Sequence, residues 1–213
     1  MKRARFLLAT LVCAVMVMGV GYAWWTDSIS VTETAETGEL DVKFVTEDVY
    51  PNTAGTSDYV VPGTVTTDAE GKTVTCSFTN LYPGAEARID LKAKNIGTIP
   101  VKLKNATISF DAGSSEALKS SIDAYVLYYK LNVDGSIASG SVGSTTVAAL
   151  DKLAAKIISD PLLMGLQFAP NESLCLGGDE CIVLKVKDDA GDGIENETLT
   201  FTLQLEWKQF NEI

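Results

Sequence analysis

The feature that most limits how this chain can fold is the strict alternation of apolar and polar residues in its final stretch. Phe201, Leu203, Leu205 and Trp207 interleave with Thr202, Gln204, Glu206 and Lys208. Successive side chains of a β-strand point to opposite faces, so this pattern gives one dry face and one wet face. The same period recurs in Leu40, Val42 and Phe44 around Asp41 and Lys43, and in Ile89, Leu91 and Ala93 around Asp90 and Lys92. Ile182, Leu184 and Val186 repeat it against Val183, Lys185 and Lys187. These runs are expected to be half-buried antiparallel strands. Turn-forming residues separate them: Tyr82-Pro83-Gly84, Asn95-Ile96-Gly97, Asp134-Gly135 and the acidic run from Asp188 to Gly193. The dry faces of such strands need a second sheet to cover them, so the expected fold class is all-β, an antiparallel β-sandwich with short helical insertions.

Two stretches depart from period two. Thr145 to Ser159 sets Val147, Leu150, Leu153, Ala154, Ile157 and Ile158 near one helical face, with Pro161 as the stop. Ser114 to Ser121 reads as a second short helix ahead of an apolar strand from Tyr125 to Leu131.

The N-terminus reads as an export signal. Lys2, Arg3 and Arg5 precede an apolar run from Phe6 to about Val20, and Gly21 and Ala23 supply the small residues of a cleavage site. The run is short against the ~20 apolar residues of a membrane span, although an uncleaved anchor is the rival reading. Residues 1–23 are thus expected to be a signal peptide cut between Ala23 and Trp24, and residues 24–213 a single exported domain. Of 17 basic residues the leader holds three, which leaves 14 against 28 acidic ones in the exported part. So acidic a surface favours solubility and disfavours nucleic acid as a partner.

An oxidising destination suits the cysteines. Cys175 and Cys181 bracket Leu-Gly-Gly-Asp-Glu and are expected to form a disulfide, while Cys76, between Val74 and Phe78, is expected to be a buried strand thiol. A bridge from Cys76 to either of the others is the alternative the sequence leaves open.

The sequence offers no catalytic constellation. Histidine is absent, which removes histidine-containing zinc sets, the HExxH helix, and Ser-His-Asp or Cys-His nucleophiles. No glycine-rich nucleotide motif occurs, so no enzyme, catalytic residue, cofactor or dedicated metal site is expected. The acidic run has Asp188, Asp192 and Gly193 at positions one, five and six of a calcium loop, but Ala190 and Leu199 stand at three and twelve. It is read as a solvated turn, with Asp188, Asp192 and Glu195 as weak calcium candidates. Asn105, Asn171 and Asn196 head glycosylation sequons.

Three segments carry a resemblance: the leader junction GYAWWTDSISVTETAETGELDVKF, the stretch SFTNLYPGAEARIDLKAKNIGTIPVKLKNATISF, and the terminal strand LTFTLQLEWKQFN. In order and spacing they resemble the TasA/camelysin family of secreted biofilm-matrix proteins, which are exported with a SipW-type signal peptide. The resemblance covers about a third of the chain, and Asp111 to Ile194 follows only by position. It implies a jelly-roll sandwich that serves as the subunit of extracellular matrix fibres, partnered by itself, by its signal peptidase during export, and by other matrix proteins. It also implies that the mature N-terminal strand of one subunit enters the sheet of the next. Camelysins are described as metalloproteases, an activity for which this sequence has no motif. The Cys175/Cys181 pair departs from the family pattern.

The donor strand would be Trp24 to Glu33, with Trp24, Trp25, Ile29 and Val31 as its anchors. Main-chain hydrogen bonds would give affinity, and alternate side chains would give register. A head-to-tail contact of this kind need not close, and so produces a filament. The alternative is a monomeric cell-surface adhesin or carbohydrate-binding sandwich using Tyr50, Tyr59 or Trp207 as an aromatic platform.

Overall fold

The computed structural model describes residues 2–22, 37–53, 56–176, 181–194 and 197–212. The chain divides into two units, Met1–Thr37 and Gly38–Ile213. The first contains helix α1 (Lys2–Tyr22), along which Phe6, Leu7, Leu8 and Leu11 are exposed. No helix among the described residues is long and apolar enough to cross a membrane.

The second unit is built from two antiparallel sheets. In chain order the strands are β1 (Val42–Phe44), β2 (Tyr50–Pro51), β3 (Val61–Thr67), β4 (Thr73–Thr79), β5 (Glu86–Asn95), β6 (Val101–Phe110) and β7 (Ile122–Leu131). There follow β8 (Gly143–Ser144), β9 (Ala148–Ala149), β10 (Gln167–Phe168), β11 (Ser173–Leu176), β12 (Ile182–Val186) and β13 (Thr198–Gln209). The helices of this unit are α2 (Glu116–Ser120), α3 (Leu153–Ser159) and α4 (Pro161–Gly165).

Among the described residues one sheet has eight strands and the other five, the latter in the order β10-β6-β13-β4-β3. The larger sheet has long strands β5 and β7, with β11 and β12 sharing the lane between them. β1 and β2 flank β5 on its other side, and β8 and β9 flank β7. Inward side chains of both sheets form one core: Ile89, Leu91, Ile122 and Val126 from the larger, and Val74, Phe78, Leu103, Phe201 and Leu203 from the smaller. Cys76 is wholly buried in β4 between Val74 and Phe78, so the alternation there correctly marked an inward thiol.

Burial follows period two most clearly in β13, where Leu199, Phe201, Leu203 and Leu205 are buried and their neighbours are not. A register shift at Glu206/Trp207 ends that regularity. Leu40 lies outside β1 and is exposed, so the first strand is shorter than its alternation suggests. Asn95-Ile96-Gly97 joins β5 to β6 as a tight turn. A Cβ at Gly97 would run into Glu39 O and Asp41 N, so close backbone approach requires glycine there.

The helix expected over Thr145 to Ser159 is a correction. Only Leu153–Ser159 is α-helical, after β9 and a 3-10 turn at Leu150–Lys152. Thr145 is tied to β7 by exchange with Val126: its N–H donates to Val126 O and its Oγ1 accepts from Val126 N–H. That pins the start of the segment as a strand neighbour, and leaves Val147 and Ile158 exposed. Pro161 does separate helices, and it also opens α4, where the Asp160 carboxylate accepts hydrogen bonds from Leu162 and Leu163 N–H. The second expected helix is α2, capped by Ser115, and the apolar strand after it is β7, which starts at Ile122.

Candidate functional site

The signal-cleavage residues Ala23 and Trp24 and the donor-strand residues Trp24, Trp25, Ile29 and Val31 lie outside the described residues. Of the calcium candidates, only the Asp188 side chain is among those described. Asp188 lines a surface groove with Asp123, Asp189, Lys185 and Lys187, so two ammonium groups oppose a divalent cation there. Asp192 begins a 3-10 turn that buries Ile194, and Glu195 is outside the described residues. No group of three metal-ligating side chains exists among the described residues. Trp207 is half-buried and packs edge-on against Phe168 with ring centroids 5.6 Å apart. Tyr59 is exposed, at a left-handed φ of 70°.

A site the sequence reading missed lies on the outer face of the larger sheet. Pairing sets Tyr50 of β2 opposite Asp90 of β5, and Cys175 of β11 between Lys92 of β5 and Tyr129 of β7. Cys181 falls in the same lane one place before Ile182, and its carbonyl accepts from Leu127 N–H. All these side chains point away from the core, yet Asp90, Cys175 and Cys181 are 5%, 4% and 0% exposed. They surround a pocket of about 180 Å³ lined by Asp48, Tyr50, Asp90, Lys92, Tyr129 and Cys175, with Leu91 and Leu131.

The polar groups of the pocket are unevenly matched. Lys92 Nζ is held by Asp48 at 2.9 Å, and Arg88 by Glu86 at 2.6 Å. Asn52 Nδ2 donates to Asp90 Oδ2 at 3.1 Å and reaches Cys181 Sγ at 3.6 Å. Asp90 Oδ1, by contrast, is buried with no hydrogen-bond partner. Burial raises the Cys175 thiol to about 11, and burial with the Asp90 carboxylate alongside raises Cys181 to about 12. The Asp90 charge likewise raises the Tyr50 hydroxyl, and burial with Cys175 alongside raises Tyr129 to about 12. At neutral pH the two thiols are therefore protonated, poor nucleophiles and poor metal ligands.

The disulfide expected between Cys175 and Cys181 is absent, and both are free thiols, as is Cys76. The lane explains why. Cys175 stands opposite Lys92 and Cys181 falls beside Asp90, two places along one strand path, so their Cα atoms are roughly 6.6–6.8 Å apart. That is the far limit for a bridge, and side chains standing parallel on one face do not bring their Cβ atoms to the needed ~3.8 Å. Only the side on which Cys175 falls was readable in the sequence: Leu174 and Leu176 flank it, which sets that one thiol on the face opposite the core strip.

The smaller sheet presents two edges. β3 is one, blunted by Pro62 and by a register shift between Pro62 and Val65. The other belongs to β6, which β13 covers along one side, while β10 covers only Val101 and Lys102 on the other. The outer side of Leu103–Phe110 thus has no strand partner among the described residues, and α3 and α4 pack against β6. The sequon residue Asn105 lies in this stretch, half-buried, whereas Asn171 is exposed in a turn at φ 69°. No protein-family model matches this chain, and no curated protein matches it significantly.

Proposed function

We propose that the exported chain is the structural subunit of an extracellular, biofilm-type matrix fibre, and that its two sheets form a jelly-roll sandwich. Its role is mechanical rather than enzymatic. Subunits join head to tail when the mature N-terminal strand, Trp24 to Glu33, pairs with the next molecule. The observation that carries this reading is the β6 edge: among the described residues, the eight residues Leu103–Phe110 have no strand partner on their outer side. Helices α3 and α4 pack against this strand, so a donor of similar length has a strand edge to pair with only where these helices leave it free. The apolar row of Trp25, Ile29 and Val31 must be sheltered from water, and each such side chain contributes roughly 1.5–3 kcal/mol on burial. The export signal supports the reading further, since a leader attached to Trp24 would block the strand until cleavage outside the cell.

The test compares residues 24–213 with residues 34–213 by negative-stain electron microscopy and sedimentation velocity. The longer chain is expected to form filaments, and the shorter one to stay a folded monomer with the same far-UV circular dichroism. Filaments from the shorter chain, or a longer chain that stays monomeric, would sink the proposal.

A further inference from the structure

The pocket on the outer face of the larger sheet contains a buried carboxylate, beside the Tyr50 hydroxyl and the Cys181 thiol, with one oxygen left without a hydrogen-bond partner. Asp90 is 5% exposed, its Oδ2 is engaged by Asn52, and its Oδ1 has no partner. The cations two places either side of Asp90 on β5 form ion pairs with other carboxylates, Lys92 with Asp48 and Arg88 with Glu86. Asp48 and Lys92 pair with each other, so the ion pair does not engage Asp90. A buried carboxylate without a counter-charge is costly, and that cost falls when a cation of the right shape enters.

We propose that this pocket binds a primary alkylammonium group, of the kind carried by a lysine side chain or a small amine, with its N–H donors on Asp90 Oδ1. The pocket of about 180 Å³ far exceeds the ~10–15 Å³ that one water needs, so an ammonium with a short stem can enter. Tyr50 and Tyr129 supply hydroxyl oxygens as further acceptors and aromatic rings beside the charge, and Leu131 offers apolar surface to the stem. A guanidinium fits less well. Its planar fork seeks both oxygens of a carboxylate, and Asn52 already occupies one of them. A metal ion fits less well still, since no three ligating side chains converge and the neighbouring thiols stay protonated. This inference does not rest on the fibre reading and applies equally to a monomer.

The experiment measures thermal unfolding of the exported chain in n-propylammonium chloride against equal concentrations of tetramethylammonium chloride, sodium chloride and calcium chloride, up to about 10 mM. Propylammonium is expected to raise the midpoint above all three, because tetramethylammonium has the charge but no N–H to donate. Calorimetric titration should then give saturable propylammonium binding that Asp90→Asn weakens by about tenfold or more. Neutral N-propylacetamide should not bind to the native chain, a control that holds even if the Asn variant folds poorly. The tripeptides Gly-Lys-Gly and Gly-norleucine-Gly separate the two sources: propylammonium and the lysine peptide both binding, with the norleucine peptide not binding, points to a protein side chain, and propylammonium binding while neither peptide binds points to a free amine. The inference is overturned by equal stabilisation from tetramethylammonium or calcium, by absence of saturable propylammonium binding, or by undiminished binding in a folded Asp90→Asn protein.

Discussion

Replacing Asn95 with alanine should strongly destabilise the two-sheet unit. Asn95 ends β5 and is 1% exposed. Its Nδ2 donates to Ile99 O at 2.9 Å and to Phe168 O at 3.0 Å, and its Oδ1 accepts from Gly97 N–H at 3.0 Å. One side chain thereby holds the turn into β6 and the strand β10 beside it. Three hydrogen bonds at about 1 kcal/mol each amount to roughly 3 kcal/mol, and partners left dry would add to that. With an m-value of about 2 kcal/mol/M, the urea midpoint should fall by about 1.5 M with an unchanged slope. Asn95→Asp sharpens the test, because an ionised carboxylate would face the Ile99 and Phe168 carbonyls with no donor to offer. At pH 7 it should be worse than alanine, and near pH 3 protonation should recover part of the loss. A midpoint shift for Asn95→Ala of under about 0.5 M, or an aspartate variant as stable as wild type at pH 7, would refute the reasoning.

Three further outcomes follow from the hydrogen bonds and the buried thiols. Asp160 accepts from Leu162 and Leu163 N–H at 3.0 Å each and from Tyr128 Oη–H at 2.7 Å, so Asp160→Ala should cost roughly 2–4 kcal/mol in urea unfolding, and Asp160→Asn clearly less. Burial holds Cys175 near 11 and Cys181 near 12, above the ~8.5 of an unfolded thiol. The stability linked to these thiols is therefore complete below about pH 8.5 and is lost as pH rises toward 11–12, because the unfolded chain gives up those protons first. Urea midpoints measured from pH 7 to 10.5 should decline only above about pH 8.5, and less steeply after Cys175→Ala and Cys181→Ala. Alkylation of the native protein at pH 8 should be slow at Cys76, Cys175 and Cys181.

Where one face of a strand is dry and the other wet, the alternation was enough to find it. β13 was legible because its register on β4 and β6 buries every second residue. The same logic misled at Asp90, which sits between Ile89 and Leu91 as any solvated residue would. Its burial comes from Tyr50, Asn52, Tyr129 and the two cysteines, which reach the outer face from other strands, and no local pattern encodes that meeting. The helical periodicity of Thr145 to Ser159 failed for a related reason. Pairing with β7 took its first third, a long-range contact that outweighs weak local preference. Cys175 and Cys181 looked like the two ends of a staple because proximity along the chain was mistaken for facing geometry.

The lane shared by β11 and β12 has one further consequence. Leu176 sits opposite Leu91 and Ile182 opposite Ile89, so the chain has four more residues between Leu176 and Cys181 than the ladder has positions. Register on both sides is fixed by pairing with β5 and β7, so the length of that excess piece does not enter it. A foreign epitope spliced between Gly177 and Glu180 would leave every rung where it is, and each doubling of its length would cost only about 0.6 kcal/mol of closure entropy.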